Sequence, residues 1–271
     1  MASFDSTFLD LGRLDNLSYN DTIIHRIDPR AKLLVTVGFI VVVVSFPKYA
    51  VTSLVPLFFF PILMVYLAEL PVGFLLKKLL IVSPFAVFIG IFNPFLDREV
   101  LVHLGPFNIT GGWISFGSVI LRFVLTVGAA LILIATTSFP GICNALDRLK
   151  VPRLFVVQLM LLYRFIFVLT EEALRMVRAR RMRSFDKKRP GLKQFVQMVG
   201  LLFLRTLERA ERIYLAMRSR GFDGEIRTVK RLRFTLRDLL FLSLFITLFA
   251  VFRFYNPSQL LGNLVFQAFQ Q

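Results

Sequence analysis

The chain has 271 residues, of which 56% are hydrophobic and 31 are Phe, and its 33 Lys and Arg against 17 Asp and Glu give a formal charge of +16. In water these properties conflict, because so much Phe would expose apolar patches and so much positive charge would normally bind nucleic acid. Both suit a membrane protein that collects its basic residues on one side of the bilayer and has no nucleic acid partner. The composition excludes an ordinary soluble enzyme, a disordered chain and, since Cys143 is the single cysteine, a disulfide-stapled secreted domain.

Four segments in the first half are apolar enough to cross a bilayer, which takes roughly 20 residues, or fewer where flanking Lys and Arg reach the interface. They are residues 31–46, 50–68, 79–96 and 113–137, and a fifth candidate covers residues 239–255. The second contains two prolines, which membrane helices tolerate better than soluble ones do. The sequence therefore predicts an all-α integral membrane protein with about five transmembrane helices.

The excess of Lys and Arg on the cytoplasmic side predicts the orientation of these spans. The basic stretch 25–32 and the pair Lys77–Lys78 are expected inside, whereas residues 97–112 hold one Arg and two acids and are expected outside. Residues 1–30 are polar and lack the apolar core of a cleavable signal peptide. With residues 25–32 inside, the N-terminus is predicted to be cytoplasmic, and the protein is expected in the cell inner (plasma) membrane.

Most of the positive charge lies between the fourth and last spans. Residues 138–235 contain 22 Lys and Arg against 8 Asp and Glu, which is +14 of the total +16. Four regions are thus expected: a cytoplasmic segment at 1–30, a four-helix membrane region at 31–137, a basic cytoplasmic region at 138–235, and the last span with a short outer tail at 236–271.

One stretch of the basic region, residues 154–169, is hydrophobic enough to be a further span. A crossing there would place the basic residues 175–193 outside and would set Gln158 and Arg164 at membrane depth, at a cost of about 3–6 kcal/mol. We therefore expect this stretch to lie along the inner face or to be buried among the other helices.

Two long amphipathic helices are predicted in the basic region. Helical periodicity continues from residue 154 through 185 without a breaker, which indicates one helix of roughly 30 residues, about 45 Å long. Glu171 and Glu172, four residues before Arg175 and near Arg178, are expected to support it. After a charged turn at 186–191, a second helix is expected at 192–220, with Gly221 as its left-handed C-cap. Its apolar positions recur at helical intervals: Leu192, Phe195, Val196, Val199, Leu202, Phe203, Ala210, Ile213, Tyr214 and Met217.

The ends of these two helices repeat. Residues 181–186 (RMRSFD) match residues 218–223 (RSRGFD) as Arg-x-Arg-small-Phe-Asp. Guanidinium groups complement the dipole of a helix C-terminus, the small residue permits close approach and the Phe offers an apolar anchor. The pattern favours docking of each tip into an acidic groove of another protein, although solvated faces or contacts to anionic lipid remain the alternative.

The sequence offers little for catalysis or metal binding. It contains no Gly-x-x-x-x-Gly-Lys-[Ser/Thr] phosphate loop, and His25, His103 and Cys143 are too widely separated to predict a metal site or a catalytic triad. Arg122 and Arg164 lie in apolar runs, where snorkelling or pairing with a helix carbonyl is a simpler explanation than a transport path.

Three stretches together resemble a known family: HRIDPRAKLL at 25–34, residues 161–185 and residues 205–224. The order of features resembles the transmembrane T component of energy-coupling factor (ECF) transporters, most closely the cobalt-type (CbiQ-type) members, over nearly the whole chain. T components carry two short Arg-centred coupling motifs, which fall here on Met182, Arg183 and Ser184 and on Ser219, Arg220 and Gly221. Met182 and Ser219 stand where the family usually has Ala. The neighbouring residues Arg181, Phe185, Arg218 and Phe222 would support the two tips.

The resemblance implies a scaffold subunit without enzyme activity or cofactor of its own. Two cytosolic ABC-type ATPase subunits would receive the tips and would bind the ATP and Mg. A separate membrane component would bind the substrate, which the family implies to be cobalt ion, with nickel or a vitamin as alternatives. A small membrane subunit could join. Two other functions stay open: a self-sufficient channel or carrier that uses Arg122 and Arg164, and a scaffold that binds anionic lipid.

Overall fold

The computed structural model describes residues 17–49, 51–96, 100–104, 107–183, 191–224 and 234–254. The chain divides into two compact units. Met1–Ala145 together with Leu232–Gln271 forms one, called here the frame unit, and Leu146–Arg231 forms the other, called the long-helix unit.

Helices dominate both units, as predicted for an all-α membrane protein. The frame unit contains α1 (Pro29–Ser45), α2 (Val51–Leu54), a 3-10 turn (Val55–Phe58), α3 (Phe59–Leu67), α4 (Val72–Gly90), α5 (Asn93–Leu96), α6 (Gly111–Thr136) and α10 (Leu236–Phe254). The chain continues from α6 through α7 (Phe139–Arg148) into the long-helix unit, which contains α8 (Arg153–Arg183) and α9 (Leu192–Ser219). A short antiparallel hairpin, β1 (Val100–Leu104) and β2 (Phe107–Thr110), precedes α6 and was not predicted.

Three predicted spans coincide with helices. Residues 31–46, 113–137 and 239–255 match α1, α6 and α10 closely. The prediction for 79–96 was wrong at both ends, since α4 begins at Val72 and ends at Gly90, which places Lys77 inside the helix. Long Lys stems can run along an apolar helix to the interface, so a charged pair does not mark where a membrane helix begins.

The predicted span at 50–68 is not one regular helix. Instead α2 and α3 are separated by the 3-10 turn, whose second residue is Pro56. Proline has no N–H to donate and its ring crowds the preceding turn, so the regular α-helical bonding is interrupted there. Together Val51–Leu67 form a short apolar helical segment.

Three of the described helices are long and apolar enough to cross a membrane: Val72–Gly90, Gly111–Thr136 and Arg153–Arg180. They support a protein that passes through the membrane several times. The third contains the stretch 154–169, so length and composition alone would allow it to cross. Its expected position along the inner face or among the other helices depends on the distribution of charge and stays a prediction.

Helix α1 begins at a well-formed N-cap. The Asp28 carboxylate accepts a hydrogen bond from the Arg30 N–H at 2.9 Å, and Pro29 occupies the first helical turn, where its missing N–H costs nothing. The following residues are rich in Val, whose branched side chains slightly disfavour a helix in water. Inside a bilayer, however, the backbone must satisfy its own hydrogen bonds, which favours the helix.

Four Phe side chains form the centre of the frame unit. Phe39 of α1 lies 4.6 Å from Phe60 of α3 between ring centroids, and Phe60 lies 5.2 and 5.3 Å from Phe245 and Phe249 of α10. The Phe60 contacts with α10 are edge-to-face, the arrangement that the ring quadrupole favours. All four rings are buried, so they join three helices that are far apart in the sequence.

Helix α9 ends in the predicted left-handed C-cap. Gly221 has a φ of 76°, and the Phe222 N–H donates to the Met217 carbonyl at 3.0 Å, as in a Schellman motif. The prediction for Gly221 is confirmed. Lys150, just after α7, adopts a similar φ of 64° despite its side chain.

Truncating Phe60 tests the aromatic centre. Phe60→Ala leaves a cavity among three helices and should lower the free energy of unfolding in detergent by about 3 kcal/mol. The matched control is Phe85→Ala on α4, where the ring is 67% exposed, and it should have little effect. Thermal unfolding of both variants measures the difference, and equal shifts would contradict the central role of Phe60.

Replacing Gly221 tests the C-cap. Gly221→Ala forces a β-carbon into the left-handed region and should destabilise the end of α9 by about 1 kcal/mol, which is roughly fivefold faster amide hydrogen exchange near residue 217. Gly200→Ala is the control, because Gly200 lies mid-helix with open space where its β-carbon would stand and Ala favours a helix. If amide hydrogen exchange slowed in both variants, Gly221 would not be acting as a left-handed C-cap.

Candidate coupling site

The two predicted tips lie at the C-terminal ends of α8 and α9. Arg183 is the last residue of α8, and Met182 beside it is 84% exposed. Ser184 and Phe185, together with the predicted turn at 186–191, lie largely or wholly outside the described residues, and Arg181 is described only through its helical backbone. The first tip therefore presents an exposed Arg-centred helix end.

The second tip is described in full. Arg220 is the C-cap of α9 and is exposed, and the left-handed Gly221 turns the chain sharply after it. Arg218 lies along the helix with its guanidinium 5.9 Å from the Tyr214 ring centroid. The Ser219 hydroxyl donates back to the Leu215 carbonyl at 2.9 Å. Since Arg218 and Ser219 are engaged by their own helix, Arg220 is the residue of this tip best placed to meet a partner.

Side-chain contacts show that α8 and α9 run antiparallel where they meet. Arg180 donates to the Gln194 side-chain oxygen, and Arg205 forms an ion pair with Glu172 at 2.7 Å between Nη1 and Oε1. Gln194 also accepts the Gly191 N–H at the start of α9. The end of α8 is therefore tied to the beginning of α9.

This arrangement separates the tips widely. The first tip is at the amino end of α9 and the second at its carboxyl end, and the 25 residues from Gln194 to Ser219 rise about 38 Å. Arg183, at the end of α8, and Arg220, at the end of α9, thus lie near opposite ends of α9. Two identical protein grooves could each receive one Arg without competing for space.

The ion pairs along α8 differ in part from those expected. Glu171 does support Arg175, at 3.4 Å between the carboxylate and the guanidinium. Glu172 instead contacts Arg205 of α9, 33 residues away. Helical spacing alone cannot reveal this contact, because it depends on where the second helix packs.

Helix α9 has two different faces. A half-buried stripe runs along its length and contains Met198, Leu202, Thr206, Arg209, Ile213 and Met217. A second stripe of apolar side chains is at least 46% exposed: Leu192, Phe195, Val199, Phe203, Leu207 and Tyr214. The predicted apolar positions are thus divided between the two, and the exposed stripe is a contiguous surface suited to lipid or to an apolar partner.

Arg122 has a structural role. Its Nη2 donates to the carbonyls of Phe46 and Pro47, at 3.0 and 2.6 Å, where α1 ends. Pairing with helix-end carbonyls, one of the two simpler explanations given above, is therefore what the structure shows for Arg122. Arg164 is exposed on α8.

The described residues contain no group of three or more His, Cys, Asp or Glu placed to hold a metal ion. The Thr22 hydroxyl lies 2.7 Å from His25 Nδ1, and burial lowers the pKa of His25 below its ordinary value. Burial also raises the pKa of the Cys143 thiol to about 11, so this thiol stays protonated at neutral pH.

The sequence analysis missed a buried polar cluster at the amino end of α1. It contains Asp28, Lys32, Thr136 and Asp238, each no more than 5% exposed. The available signal was the presence of Lys32 and Asp238 at the edges of apolar segments, where a buried charge calls for a partner. We call these four residues the amino-end junction.

Comparison with known proteins places the chain in a family. The family model described as CbiQ, cobalt transport protein, matches residues 20–232. The chain is 31% identical to the energy-coupling factor transporter transmembrane protein EcfT of Streptococcus thermophilus, over 81% of this chain and 89% of the relative. It is 29% identical to EcfT of Streptococcus equi, over 89% and 95%. An uncharacterized protein of Methanocaldococcus jannaschii is 31% identical over 67% of this chain and 65% of the relative.

The family match spans most of the chain and includes α8, α9 and the second tip through Gly221. The resemblance identified from the three sequence stretches is thereby confirmed. This chain belongs to the CbiQ family and is a transmembrane (T) component of the energy-coupling factor transporter type.

Proposed function

We propose that the chain couples ATP hydrolysis on two cytosolic ABC-type ATPase subunits to import by a separate substrate-binding membrane component. The observation that carries this proposal is the placement of two similar Arg-centred helix ends at opposite ends of α9. Guanidinium groups there would bind carboxylates in one groove on each ATPase. The ATP and Mg would be bound by those subunits, and this chain would have no catalytic role.

The exposed apolar stripe of α9 supports a second contact surface in the same helix. An apolar stripe beside charged tips suits a helix that binds a membrane component along its side and ATPases at its ends. When ATP draws the two ATPases together, the tips would be displaced and the side of the helix would move with them. That movement would reorient the substrate component so that its site opens to the cytoplasm.

The family description supports cobalt ion as the substrate, and nickel or a vitamin remains an alternative, because the discriminating ligands would lie on the other membrane component. Comparing uptake of Co²⁺ and Ni²⁺ by the assembled complex would decide between the metals. A self-sufficient channel is disfavoured because Arg122 is occupied by the carbonyls at the end of α1. ATP-independent transport by the purified chain in liposomes would instead support a self-sufficient channel.

Reversing the charge of both tips tests ATPase docking. The double variant Arg183→Glu with Arg220→Glu should lower recovery of co-expressed ATPase subunits with the tagged chain by about tenfold or more, because it places like charges together in each groove. The charge-matched control is Arg175→Glu with Arg212→Glu, which changes two exposed Arg on the sides of the same helices. Equal recovery with both double variants would contradict docking through the tips.

Reporters placed in the chain before and after the last predicted crossing test the topology. With the N-terminus and the basic region in the cytoplasm, a reporter in the turn at 186–191 should lie inside and one after Gln271 outside the plasma membrane. A turn found outside would mean that α8 crosses the membrane. Reporters found on the same side would contradict the crossing by α10.

A further inference from the structure

The amino-end junction ties together three helices of the frame unit. Lys32 on α1 donates from Nζ to the Thr136 carbonyl at the end of α6, at 2.8 Å. Asp238 on α10 accepts the Asp28 N–H at 2.8 Å, immediately before α1. The same carboxylate accepts the N–H and the hydroxyl of Thr235, at 2.7 and 2.5 Å, and so begins α10.

The charges of the junction balance once the neighbouring Arg30 is included. Lys32 interacts electrostatically with both Asp28 and Asp238, and the Arg30 guanidinium lies 3.7 Å from the Asp28 carboxylate. Two acids and two bases at the edge of an apolar bundle are costly to bury, and removing one leaves another without compensation. A purely apolar contact would join these helices at lower cost, so the charged set calls for an explanation beyond packing.

Both connections to the long-helix unit begin at this junction. The chain leaves the frame unit after Ala145, only nine residues beyond Thr136, and returns at Leu232, three residues before Thr235. The first turn of α7, which carries the outgoing chain, also lies against α1, because a β-carbon on Gly141 would stand 3.7 Å from Pro29. Displacement of α8 and α9 would therefore reach the frame unit along these two chain connections.

We propose that Lys32 and Asp238 are positioning residues for transport, which hold the two chain connections to α1 so that displacement of α8 and α9 moves the frame unit. This inference rests on the proposed function. Without these bonds, the two chain connections would shift relative to α1. ATP hydrolysis would then continue with little import. The residues act through helix positions and need no contact with substrate or nucleotide.

The carboxyl end of α1 supplies a matched control. There Arg122 of α6 bonds to the carbonyls of Phe46 and Pro47, and Arg253 of α10 donates to the Ser45 carbonyl at 3.4 Å. The same three helices are thus joined by polar contacts at both ends of α1. Only the amino end, however, is next to the connections to the long-helix unit.

The test measures metal imported per ATP hydrolysed by the complete complex in proteoliposomes, using whichever of Co²⁺ and Ni²⁺ the wild type imports. Lys32→Met and Asp238→Asn should each retain the ATPase subunits and lower this ratio at least tenfold. Arg122→Gln should lower thermal stability but leave the ratio unchanged. An equal fall in all three variants, or none in the first two, would overturn the inference.

A double variant separates positioning from stability. Lys32→Met with Asp238→Asn restores the charge balance and should recover the amount of folded protein, yet the ratio should stay low because the bonds from Lys32 to Thr136 and from the Thr235 N–H to residue 238 are still absent. Recovery of the ratio together with the protein would show that the junction serves stability alone.

Hydrogen exchange distinguishes failure of this inference from failure of the proposed function. Exchange at the Asp28 or the Thr235 amide should quicken in Asp238→Asn, because the asparagine side chain keeps only one accepting oxygen, and not in Arg122→Gln, whether or not the chain works with ATPases. A wild-type complex without ATP-driven import would reject the proposed function and the coupling role together. Unchanged exchange at both amides would reject the junction itself.

Discussion

The frame unit depends on how α1 is held at its two ends. Lipid surrounds an apolar helix as favourably as another apolar helix does, so hydrophobicity alone does not determine which membrane helices pack together. Buried charges and unpaired carbonyls do discriminate, because leaving them without partners in an apolar environment is costly. Lys32 and Asp238 satisfy this need at the amino end of α1, and Arg122 satisfies it at the carboxyl end. The Phe39 and Phe60 rings then pack between fixed helix ends.

The long-helix unit follows a different principle. Its two helices share exposed polar contacts, Glu172 with Arg205 and Arg180 with Gln194, and much of the apolar surface of α9 is exposed. Exposed ion pairs contribute little stability, typically below about 1 kcal/mol, so this contact can adjust at low cost. An adjustable contact between the two long helices would suit the coupling role proposed above.

Local patterns predicted the long helices well. The period of apolar residues and the absence of a breaker place α8 and α9 almost to the residue, and Gly221 marks the end of α9 because few other residues adopt its backbone conformation at no cost. The segmented helix around Pro56 and the hairpin before α6 were less visible. In both cases the mean hydropathy of a sequence segment does not reveal the change in backbone hydrogen bonding.

The sequence by itself determined the class of the protein, the basic region and the two repeated Arg tips. Composition is a property of the whole chain, and periodicity and motif spacing depend on residues close together in the sequence. Only the tertiary structure decided that the tips lie near opposite ends of α9, whose residues from Gln194 to Ser219 rise about 38 Å. It also decided the partners of Lys32 and Asp238, which are 104 and 210 residues away along the chain. Such contacts follow from the packing of whole helices, and no local pattern encodes them.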